Sequence, residues 1–133
     1  MTRQRSASIL MGLAALGFLG TAAVHTTGYG TVLRLAAEVP SDLGPAIPAL
    51  WLVFSLDLAV IGLIVAVVAW RPQPIGRWVL VIASLSPLGA AGLQLRFIGF
   101  VPPTALLLGI GVLTLVAAAL LTSQATDGAS APH

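Results

Sequence analysis

Four long apolar runs, set apart by short polar connections, organise this chain. They cover about residues 8–24, 49–70, 78–95 and 104–121. A helix needs roughly 20 residues to cross hydrocarbon at about 1.5 Å per residue. The shorter runs still cross if their flanks snorkel or the bilayer thins slightly. The pattern therefore predicts an all-α fold, an integral membrane four-helix transmembrane bundle occupying residues 1–122. A small polar tail, SQATDGASAPH, fills 123–133 and reads as disordered.

The connections differ in character. The one at 26–48 is long, opening with Gly28 and Gly30 and closing with Pro40, Pro45 and Pro48. Within it TVLRLAAEV predicts a short helix, with Arg34 and Glu38 four apart in the weaker order for a helical ion pair. This segment is expected either to lie on the membrane surface or to roof a cavity. The connections at 71–77 and 96–103 are short, so the second run should neighbour the third, and the third the fourth, antiparallel. Ser55, Ala59, Gly62 and Ala66 form a small-residue stripe on the second run, of the kind that lets membrane helices approach closely. Asp57 stands about 200° around the helix from Ser55, so this helix is expected to have protein on two faces and to be central. Pro87 should kink the third helix and free a carbonyl.

Composition agrees with the pattern. The 133 residues are 58% hydrophobic and 8% charged, against about 25% charged in soluble domains. The surface must therefore be lipid. There is no cysteine, which removes disulfides, thiol redox chemistry, Cys-ligated metals and Cys nucleophiles. The net charge of +2 comes from arginine alone and is no nucleic-acid footprint. It is an orientation signal. Arg3, Arg5, Arg71 and Arg77 fall on one side, and Arg34, Arg96, Glu38 and Asp42 on the other. The positive-inside rule makes the first side cytoplasmic, with both termini there, in an inner or plasma membrane. Trp70 and Trp78 mark that interface and Trp51 the outer one. The basic start, the first apolar run and Thr21-Ala22-Ala23 also resemble a signal peptide; we read the run as a true helix.

Asp57 is the only charge within residues 49–70. A carboxylate in hydrocarbon needs a partner, a proton or water, and marks a candidate site. Depths counted from the ends facing the cytoplasm put Asp57 roughly 20 Å up, Gln94 roughly 24 Å, His25 roughly 25 Å and Arg96 roughly 27 Å. Three helices thus send polar groups to similar heights on the outward side. The other half offers only Thr114 and Ser84, which argues against a relay through the membrane. Three readings of Asp57 stay open: an ion pair with Arg96, a working carboxylate in a wet pocket, or a lone Asp facing an oligomer contact. His25, followed by the hydroxyls of Thr26, Thr27 and Tyr29, is either an interfacial residue or a site residue.

The His closing the first helix (AAVHTTGY), the Trp-led second helix (ALWLVFSLDLAV) and LRFIGF before the last helix resemble small bacterial four-helix membrane proteins of the DoxX-like group. That resemblance implies a four-helix membrane fold and little about activity.

Three functional classes follow. The first is an outward-facing intramembrane polar pocket for a small or lipid-like ligand, lined by Asp57, His25, Tyr29, Trp51, Gln94 and Arg96. The second is a membrane enzyme of isomerase or cyclase type on a lipophilic substrate, with Asp57 and His25 as catalytic acid–base residues. The third is a structural or accessory subunit docked through its small-residue stripes. No metal site or cofactor motif stands out. Membrane lipids, a lipophilic small molecule, a second copy or another membrane protein are the partners this pattern admits; nucleic acid is not.

Overall fold

The computed structural model describes residues 3–39 and 43–127. The order is α1 (Arg3–Thr27), α2 (Tyr29–Ala37), α3 (Ala46–Trp70), α4 (Gly76–Phe97) and α5 (Pro102–Asp127). Four of these, all but α2, are long and apolar enough to span a membrane. Each runs a few residues past its apolar core, since a helix satisfies its own backbone where lipid cannot. The α5 helix continues through Asp127, into the segment expected to be disordered. Residues 128–133 of that tail, His133 among them, lie outside the described residues, as do Pro40, Ser41 and Asp42.

The chain dictates where each helix stops. Arg71 leaves helical geometry at φ −127° and ψ 76° because Pro72 disfavours the α region in the residue before it. Two prolines open α5 in its first turn, where their missing N–H groups are no loss. Gly99 ends the α4 connection at φ +96°, a backbone open mainly to glycine. Its N–H reaches the Gln94 carbonyl at 2.9 Å.

The centre of the bundle is α1, not α3. Ala7, Met11, Ala14, Phe18 and Ala22 of α1 are buried, and α1 packs along both α3 and α5. The other large contact is between α4 and α5. Sequence neighbours α3 and α4 barely touch, contrary to the expectation from their short connection. The reason is the distribution of small side chains. Gly17 faces Ile110 and Gly62 faces Phe18, so α1 is approached closely on two sides. On α3 one face, with Ser55, Leu58, Gly62 and Val65, is buried. The Asp57 face is exposed, so the two-sided burial expected of this helix is not observed. The segment that resembled a signal peptide is thus the hub of the fold.

The interface positions behave as the membrane requires. Trp70 and Trp78 are 78% and 56% exposed, and Arg71 and Arg77 lie over these rings at 5.0 and 4.4 Å. Ser84 and Thr114 are buried and donate to carbonyls of their own helices, and no buried side-chain nitrogen or oxygen among the described residues lacks a partner.

Candidate functional site

The polar groups gather at the other end of the bundle, around His25. This residue sits in the last turn of α1. Its Nδ1 is 2.8 Å from Ser55 Oγ on α3. Its ring stacks on Trp51 at 3.7 Å and 15°, and meets the edge of Phe54 at 5.0 Å. The Trp51 indole N–H donates to the His25 carbonyl at 2.8 Å. Gly28 makes this fit: a Cβ there would come within 2.9 Å of the indole. One turn of α3, from Trp51 to Ser55, thus clamps both the ring and the backbone of His25.

The clamp fixes roles for the two ring nitrogens. Ser55 has one hydroxyl proton, and its Oγ also lies 3.2 Å from the Trp51 carbonyl, which can only accept. Both bonds are made if Ser55 donates to Trp51 and His25 Nδ1–H donates to Ser55. Nε2 then carries the lone pair. It has no partner among the described residues, where no buried side-chain nitrogen or oxygen is left unpaired, so Nε2 is accessible.

Two grooves meet at this ring. One, of about 390 Å³, lies between α3 and α4. His25 and Gln94 are its polar residues, and Ile47, Leu50, Trp51, Phe54, Ala90 and Leu93 make up the rest. The other, of about 370 Å³, lies between α1, α3 and α5, with Thr21, Thr27, Pro102, Pro103 and Leu106 in its walls. His25 and Trp51 line both and form the partition between them. Gln94 is held from behind, its Oε1 accepting the hydroxyl of Thr104 at 2.8 Å. Thr104 is fully buried and also accepts the Val101 N–H at the start of α5. The Gln94 amide N–H₂ is left free to donate. The first groove is therefore an apolar slot with two polar side chains in its lining, one able to accept and one to donate, suited to an amphiphile whose polar end does both.

Of the residues expected to form one site, the structure brings together His25, Trp51 and Gln94. Tyr29 is half-buried at the start of α2 and lines neither groove. The short α2 helix packs on α3 and shares a separate cavity with Gly44, Pro45 and Pro48; none of its residues lines the His25 groove. Its Arg34 bonds Thr31 at 3.3 Å, with no ion pair to Glu38. Arg96 is exposed, its guanidinium over Phe97 at 5.4 Å. Asp57 is exposed on α3 and makes no ion pair with Arg96. The groove wall ends at Phe54, about one turn short of Asp57, so Asp57 is not its floor. His25 meets the buried Ser55 face of α3, whereas Asp57 is on an exposed face of the same helix. Ser55, Phe54 and Thr104 are the contributors that sequence reasoning missed. Ser55 was legible as part of the buried small stripe, and Thr104 as a hydroxyl at the third position after a helix start.

No group of three or more His, Cys, Asp or Glu capable of holding a metal ion exists among the described residues. Fold and composition define an all-α integral membrane protein with four candidate spans. Comparison with protein-family models, curated proteins and solved structures finds no match for the chain.

Proposed function

We propose that this protein binds a small or lipid-like amphiphile in the groove between α3 and α4, polar end at His25 and Gln94, chain along Leu50, Phe54 and Leu93. One observation carries the reading: an imidazole clamped by Ser55 and Trp51 that shares with Gln94 the lining of an otherwise apolar slot. The arginine distribution supports an orientation in an inner or plasma membrane with the termini cytoplasmic and the groove outward.

The test is photolabelling in lipid nanodiscs with a diazirine-bearing fatty alcohol. Label should concentrate on peptides containing Leu50, Phe54 and Leu93, and fall when His25→Phe and Gln94→Leu are combined. Label spread evenly over exposed leucines such as Leu16, Leu63 and Leu85 would overturn the reading.

A further inference from the structure

Asp57 is the polar side chain that neither the fold nor the His25 groove uses. It stands in the middle of α3, eleven residues after Ala46 and thirteen before Trp70. It is exposed and has no partner among the described residues. Its surroundings on the helix are ordered. Leu50 and Phe54 line the groove on one side of it, at positions −7 and −3. Val60 and Ile64 line a second, wholly apolar groove of about 350 Å³ on the other side, at +3 and +7. Asp57 is thus the centre of one helical stripe that borders both grooves of the loosely closed α3–α4 seam.

No cation of the chain pairs with Asp57 among the described residues. The chain has no lysine, and its arginines lie at helix ends or in connections. A carboxylate in hydrocarbon is stable only with a cation, a proton or water. Of these, a cation with an apolar body also suits the aromatic and aliphatic side chains, Phe54 and Val60, that flank Asp57 one turn away on either side. Phe54 adds an aromatic face one turn from the carboxylate, favourable to a cation.

We propose that the α3–α4 seam binds a lipophilic organic monocation, a hydrophobic ammonium or phosphonium, with Asp57 as counter-ion and Phe54 and Val60 beside its apolar body. This rests on the groove reading only in sharing Phe54.

The experiment is equilibrium dialysis of tetraphenylphosphonium against the protein in nanodiscs, with empty discs subtracted and tetraphenylborate as a probe of equal shape and opposite charge. The wild type should bind the phosphonium saturably, Asp57→Glu should retain binding, and Asp57→Asn should weaken it by about tenfold. Tetraphenylborate should not distinguish the three proteins. Circular dichroism and gel filtration confirm that the variants fold. Equal phosphonium binding by wild type and Asp57→Asn overturns the proposal. So does a wild-type dimer that Asp57→Asn dissociates without loss of phosphonium binding, which would mean that a second copy covers the seam. Fatty-alcohol labelling of the same proteins separates the two readings. Labelling that persists while phosphonium binding ignores Asp57 leaves the amphiphile groove standing alone. Phosphonium binding that needs Asp57 where the alcohol does not label leaves only the cation site.

Discussion

Replacing Gly62 by alanine should loosen the bundle at its hub. A Cβ on Gly62 would lie 2.9 Å from Phe18 Cβ, 3.1 Å from Leu19 Cγ and 3.3 Å from the Ala15 carbonyl oxygen. Phe18 Cβ and Ala15 O are fixed to the α1 backbone, so rotamer changes cannot relieve the contact. The helices must separate by some tenths of an ångström along their tightest line. Overpacking of this kind costs about 1–3 kcal/mol. The better helix propensity of alanine returns up to about 1 kcal/mol. Gly109→Ala on α5 is the control, since a Cβ there meets nothing within 4 Å. It gains the propensity without the clash, so the two variants should differ by about 2 kcal/mol, roughly 30-fold in the unfolding equilibrium. Unfolding in mixed micelles by titration with a denaturing detergent measures the difference. Equal stability of the two variants would refute the close α1–α3 approach and the central position of α1 with it.

Thr104→Val keeps the shape of a fully buried side chain but removes a donor to Gln94 and an acceptor for the Val101 N–H; the same titration should show a loss of about 1–2 kcal/mol. In the neutral imidazole, His25 should carry its proton on Nδ1, read as distinct ring-nitrogen shifts in ¹⁵N NMR. Ser55→Ala, which deletes the bond at 2.8 Å, should remove that preference.

Much of the architecture was legible because the bilayer imposes one length on every spanning helix. The ends were legible too: the prolines at 72, 102 and 103 and the tryptophans at 70 and 78 each state a boundary in their chemistry. Lateral arrangement was not. Connection length says that two helices are consecutive, but closeness is decided by matching small residues on separate segments, as Gly62 matches Phe18 and Gly17 matches Ile110. The site was half legible for the same reason. Counting residues placed His25, Gln94 and Asp57 at similar heights, and height was the quantity that sequence supplies. Azimuth decided membership: His25 and Gln94 turn toward one groove, while Asp57 turns along the seam. Trp51 stood out as an interface anchor, but its stacking on His25 depends on Gly28 leaving room, a pairing visible only in three dimensions.

The slight contact between α3 and α4 bears on how the molecule is made. Helices emerge in order, yet the firm partnerships join the first span to the second and last, and the third to the last. When α4 enters the membrane it has little to hold it until α5 follows. Assembly therefore completes late, and it is the final helix that locks the third into place. A chain stopped before Pro102 would retain the α1–α3 pair with its histidine clamp but leave α4 adrift.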